Sequence, residues 1–192
     1  MMRAFGIIGN CRGKNRLVPQ LVETFMARGV GVSTLKRVGD EVDLDRPGKE
    51  SYAQRQAGAR EVMIANAFRY AILSEYTQPT EPDIDTLLAR LTPVDLVLIE
   101  GFHLTPYPKC EIVLAGQDRR PSYPDDPSIL ALVTNVEVEA GLPCFGPDMV
   151  EQIASFILAN ACATGTGQPA FSGLAYRASA HAAGPGNRSG GN

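Results

Sequence analysis

The apolar run Arg3-Ala-Phe-Gly-Ile-Ile8 breaks on a glycine-containing turn. Helical spacing follows, with apolar residues at 17, 18, 21, 22, 25 and 26 closed by Gly29. A strand that runs through a glycine turn into an amphipathic helix has few ways to continue. The helix must bury its apolar stripe on the sheet that holds the strand, which sets the next strand parallel to the first. The chain repeats the pattern. Val30 to Lys36 predicts a second strand, and a polar loop with Pro47 and Gly48 leads into a helix over Ser51 to Gly58. Glu61 to Ala65 and Tyr70 to Leu73 predict neighbouring strands, a local antiparallel element. Ile84 to Leu91 reads as helix, Asp95 to Glu100 as the clearest buried strand, and Cys110 to Leu114 and Ile129 to Thr134 as further strands. Asp148 to Ala161 is a closing amphipathic helix. The expected fold class is an α/β sandwich with a largely parallel central sheet.

Residues 163–192 change character, with seven Gly, seven Ala and no acidic side chain. Such a segment cannot bury enough apolar surface to offset its chain entropy, so the expected organisation is one domain over 1–162 and a disordered tail over 163–192. A net charge of −3 argues against a phosphate-backbone binder, which would normally carry a basic face, so no nucleic-acid partner is expected. The longest central apolar run, Leu96 to Ile99, is far short of a membrane span, and the first residues are too broken for a secretory signal. The expected location is the cytoplasm. Cys11, Cys110, Cys144 and Cys162 have no paired spacing and read as reduced thiols. Cys11 is set apart by its place beside Arg12 in the first turn.

That turn, Ile7-Ile8-Gly9-Asn10-Cys11-Arg12-Gly13-Lys14-Asn15, stands where a phosphate-binding loop stands in P-loop proteins. The chemistry needs glycines so that backbone N–H groups turn onto phosphate oxygens, a Lys for the outer phosphates and a hydroxyl for Mg²⁺. The match is partial. Three residues separate Gly9 from Gly13 where the full motif has four, and Asn15 replaces Ser or Thr. Two readings stand side by side: an anion site, or a glycine-rich strand-to-helix turn with a solvated lysine.

Further segments, in order, narrow the choice. Val32-Ser-Thr-Leu-Lys36 is followed by Val42-Asp43-Leu-Asp45-Arg-Pro47-Gly48-Lys49-Glu50-Ser51, then Arg55 with Ala57-Gly58-Ala59, then Asp95-Leu-Val-Leu-Ile-Glu100-Gly101-Phe102 and Gly146-Pro-Asp148. Over residues 3 to 160 the chain resembles the molybdopterin-guanine dinucleotide biosynthesis protein B (MobB) family. The resemblance implies a P-loop NTPase-like fold and an accessory protein of molybdenum cofactor biosynthesis. Such a protein binds GTP with Mg²⁺, forms a homodimer, and assists the guanylyltransferase that attaches GMP to molybdopterin. Carried onto this chain, it implies nucleotide contacts from Gly9, Asn10, Gly13, Lys14 and Asn15, and metal contacts from Asn15, Asp43 and Glu100. Glu100 takes the acidic place at a strand end, where open α/β sheets face their ligands.

Each residue also has a plainer reading. Asp43 and Asp45 read equally as loop acids, Lys49 as a solvated turn lysine and His103 as a surface imidazole. Asn135, after Thr134 at a strand end, reads as a guanine contact or as a turn cap. Arg37-Val38-Gly39-Asp40 stands where family members carry histidines. The short turn, Asn15 and the absent histidines together set the expectation of at most weak GTPase activity. Two other functions remain open: a nucleotide-independent adapter, and a small P-loop metabolite kinase with Arg119 and Arg120 clamping a phosphate.

Overall fold

The computed structural model describes residues 1–117 and 119–165. Strands β1 (Arg3–Gly9), β2 (Val32–Lys36), β5 (Leu96–Glu100), β6 (Lys109–Val113), β7 (Ile129–Thr134), β8 (Cys144–Phe145) and β9 (Cys162–Ala163) form one seven-stranded sheet. The helices are α1 (Cys11–Ala27), α2 (Glu50–Gln56), α3 (Ile84–Ala89) and α4 (Val150–Asn160). The sheet order is β2-β5-β1-β6-β7-β8 with every neighbouring pair parallel, as the strand–helix alternation requires. Strands β3 (Glu61–Ala65) and β4 (Tyr70–Ser74) pair antiparallel in a separate two-stranded sheet. The expected sandwich and its local antiparallel element are both present.

The central strands read as continuous apolar runs because both of their faces are covered. Phe5, Ile7, Leu96 and Leu98 face α1 and α4, packing with Leu17, Leu21, Phe25, Ile153 and Ile157. The alternate residues Ala4, Val97 and Ile99 pack on Ile84 and Leu88 of α3, with Phe102 and Tyr107. Among the described residues no helix is long and apolar enough to cross a membrane.

Most element boundaries shift by one to two residues from those the sequence predicts, and two differences bear on the site and the body. Helix α1 begins at Cys11, nearly two turns ahead of its apolar stripe, because Asn10 caps it: the Asn10 side chain accepts from Gly13 N at 3.0 Å. Residues 163–165 belong to the body. β6 pairs only with Gly6–Gly9 of β1, and β9 takes the backbone edge that this leaves, opposite Arg3 and Ala4. Thr164 N then donates to Met2 O at 2.9 Å and Gly165 N to the Tyr107 hydroxyl at 3.1 Å. The rest of the expected tail lies outside the described residues.

Candidate functional site

The C-terminal ends of β1, β2 and β5 lie side by side, with Ile7 opposite Glu100 and Lys36 opposite Glu100 in register. In an open α/β sheet this edge is the ligand crevice. The strand-to-helix turn above it is tight: Asn10 alone joins Gly9 of β1 to Cys11 of α1. Asn10 N donates to Ile112 O and Asn10 O accepts from Lys14 N, each at 3.0 Å. Its side chain already takes the Gly13 amide, the place a phosphate oxygen would hold at a helix N-terminus. Both glycines are required by packing. Gly9 has φ +94°, and a Cβ there would meet Ile112 O at 2.3 Å; a Cβ at Gly13 would meet Ile112 Cγ2 at 2.6 Å.

Lys14 follows in the first turn of α1. It is only 6% exposed, and its side chain makes no hydrogen bond or ion pair among the described residues. Its ammonium lies beside Gly101, where an added Cβ would stand 3.7 Å away. Glu100 is buried at the end of β5, and its Oε1 is 3.2 Å from Lys36 Nζ. Lys36 Nζ also donates to Asn15 Oδ1 at 3.2 Å. Lys36 therefore bridges two residues expected as metal ligands. Lys36 closes the Val32–Lys36 segment that carries part of the family resemblance, but nothing in that segment points to this bridge.

The third expected ligand, Asp43, faces elsewhere. Its Oδ1 accepts from Asp45 N at 3.0 Å and lies 3.4 Å from Arg55 Nη1. Arg55 also meets Asp45 and Glu75, and Asp45 accepts from Ser51, so these charges close on one another. Burial alone would raise the Asp45 carboxyl, but the Arg46 amide, Arg55 and Ser51 outweigh it and hold it low. Asp43 and Lys49 line an open pocket of about 520 Å³ with Leu44, Gln54 and Met63. Among the described residues no group of three or more His, Cys, Asp or Glu side chains is placed to hold a metal. Asn15 and Glu100 hold an ammonium and Asp43 holds a guanidinium, so the arranged donors do not fit Mg²⁺.

Asn135 accepts from Ala115 N at 2.9 Å, tying two loops at the sheet edge. Arg120 pairs with Asp125 at 3.2 Å, and Arg119 Nη1 lies 3.3 Å from His103 Nε2. His103 is not a surface imidazole. It is half-buried, and its Nδ1 is enclosed with no partner among the described residues. Burial lowers its pKa, and the charges of Arg119 and Lys14 lower it further. Cys11 is exposed at the start of α1, whereas burial pushes the Cys110 thiol up to about 12 and leaves it inert.

A family model for molybdopterin guanine dinucleotide synthesis protein B, MobB, matches residues 4–135. The chain is 34% identical over 146 residues to a molybdopterin-guanine dinucleotide biosynthesis adapter protein of Haemophilus influenzae, covering 76% of this chain and 81% of that one. It is 30% identical over 149 residues to the Escherichia coli K12 protein of the same description, covering 76% and 85%. A crystal structure of molybdopterin-guanine biosynthesis protein B superposes with TM-score 0.62 at 29% identity, covering 81% of this chain and 98% of that one. Bacillus subtilis MobB shares the fold with TM-score 0.64 at 21% identity, covering 82% and 97%.

Proposed function

This chain belongs to the molybdopterin guanine dinucleotide synthesis protein B family, and on that premise we propose that it is a guanine-nucleotide-binding adapter of molybdenum cofactor biosynthesis. It binds GTP at the β1–α1 turn, turns it over weakly or not at all, and assists the guanylyltransferase that joins GMP to molybdopterin. The observation that carries the nucleotide reading is Lys14, a buried cation at the ligand edge with no counter-ion among the described residues. The side chain is largely covered but its ammonium is not sealed from solvent, so it is open to an arriving anion, and a phosphate would pair it. The one-residue turn and the engaged Gly13 amide leave few N–H groups to cradle a triphosphate, which supports weak binding and slow turnover.

The same capped turn favours the second reading, a nucleotide-independent adapter. A titration with fluorescent GTP and ATP analogues, with and without purified guanylyltransferase, separates the two. Saturable binding that prefers GTP supports the first. No nucleotide binding alongside retained partner binding establishes the second. No specific observation favours the kinase reading: Arg119 lies beside His103, and Arg120 pairs with Asp125 at the exposed surface.

The β3–β4 hairpin supports the homodimer. Met63, Ile72 and Tyr70 share one face by register, and they are 66%, 43% and 63% exposed. A two-stranded sheet gains little stability by itself, and apolar cover from a second copy would complete it. The cytoplasm, where the nucleotide and cofactor pools reside, is the location this reading implies.

A further inference from the structure

We propose that Lys36 acts as a built-in cation in place of Mg²⁺, so that this chain binds nucleotide phosphate without a divalent metal. The inference rests on the reading of the β1–α1 turn as a phosphate site, and it concerns how charge is supplied there.

Lys36 is the last residue of β2, and parallel register sets it opposite Glu100. Its Nζ lies 3.2 Å from Glu100 Oε1 and 3.2 Å from Asn15 Oδ1, the two groups that would otherwise reach a metal. An ammonium has three donors. One is spent on the Asn15 oxygen while Glu100 is held as an ion pair, so donor capacity remains for an oxygen outside the pair. The Glu100 side chain is 8% exposed and the Lys36 side chain 49%, so the carboxylate is enclosed while the lysine opens to solvent, where a ligand arrives.

Placing a divalent ion between Asn15 and Glu100 would set it against an ammonium a few ångströms away, with Asp43 committed to Arg55. The ion would have to displace Lys36 and find further oxygens; the resident ammonium faces neither demand. Lys14 lies on the α1 side of the same edge, beside Gly101. Two ammoniums and one carboxylate give the site one surplus positive charge, a match for a phosphate oxygen.

The test uses the full chain, Lys36→Ala and Lys36→Arg, each checked for folding by circular dichroism. GTP affinity is measured in Mg²⁺ and in EDTA, and Mn²⁺ binding without nucleotide is read by electron paramagnetic resonance. Expected for the parent is the same GTP affinity within about twofold in both buffers, with no Mn²⁺ site. Lys36→Arg should keep that metal independence. Lys36→Ala should bind at least tenfold more weakly in EDTA, recover in Mg²⁺, and gain one Mn²⁺ site that the further change Glu100→Gln abolishes. A parent whose GTP affinity falls tenfold in EDTA, or which binds Mn²⁺ as Lys36→Ala does, overturns the inference. If no protein binds GTP in either buffer, the nucleotide reading fails. The Mn²⁺ arm then decides separately: a site gained only on removing Lys36 supports its place as the resident cation, and no gain overturns it. Should Lys36→Ala not fold, the buffer comparison on the parent and Lys36→Arg decides the matter.

Discussion

Two lysines are buried in this fold, and their surroundings differ. Lys109, on β6, is 1% exposed and paired: its ammonium meets Asp126 Oδ2 at 2.8 Å and His103 O at 2.9 Å. Lys14, on α1, is 6% exposed and has no such partner among the described residues. The first cation fastens the 101–107 and 125–128 loops. Its charge is balanced in place, and Asp126 answers in kind: burial alone would raise that carboxyl, but bonds from Lys109 and Ser128 hold it low. The second has an unbalanced charge at the edge where ligands enter. One residue type under similar burial serves the fold in one place and remains open to a ligand in the other, and the counter-ion is what distinguishes them.

The contrast can be broken from either side. Asp126→Ala strands the Lys109 ammonium in the interior, and losing one partner of a buried pair costs about 3–5 kcal/mol. Chemical denaturation should show that loss, and any residual nucleotide binding by the folded fraction should be unchanged. A cost under about 1 kcal/mol would mean that Lys109 finds water or another acceptor.

Lys14→Ala should do the reverse. Removing an unpaired buried cation should leave the denaturation midpoint level or raised. GTP affinity should fall about tenfold to a hundredfold, the equivalent of one charge-assisted contact of about 1.5–3 kcal/mol. Marked destabilisation with unchanged affinity would make Lys14 a structural lysine like Lys109.

The hairpin sharpens the comparison at the level of assembly. Tyr70→Lys sets a charge on the exposed face shared with Met63 and Ile72, so light scattering should show a dimer for the parent and a monomer for the variant. An unchanged mass would place the dimer contact elsewhere.

The smallest effect expected is that of pH on His103, which lies between the two lysines. Burial, then the charges of Arg119, Lys14 and Lys109, depress its folded pKa below its ordinary 6.5. As pH falls, the unfolded chain takes up this proton first. The contribution to stability is therefore complete above about 6.5 and is lost as pH drops through the lower folded pKa. His103→Gln should flatten that part of the stability profile relative to the parent; an unchanged slope would assign the dependence to other groups.

Much of this architecture was legible from local pattern. Runs such as Leu96 to Ile99 could be apolar throughout only if covered on both faces, and Gly9 marked the turn that its positive φ requires. Glu100 at a strand end announced the ligand edge. The Lys36 bridge was not legible, because it joins residues 64 positions apart through the β2–β5 register, which no local spacing encodes. Lys109 gave no signal either, since its partner Asp126 lies on a loop. The first turn of α1 precedes the apolar stripe and depends on the Asn10 cap. β8 and β9 have two residues each, too few to show alternation.

Whether Lys14 awaits a phosphate while Lys109 does not can be read atom by atom. In ¹⁵N-lysine-labelled protein, nuclear magnetic resonance of the ammonium groups is followed as GTP is added, with Lys14→Ala and Lys109→Met samples for assignment. The Lys14 signal is expected to shift with saturation while the Lys109 signal stays in place. A Lys14 signal indifferent to GTP, at concentrations that saturate binding elsewhere on the chain, would contradict a phosphate role for this lysine.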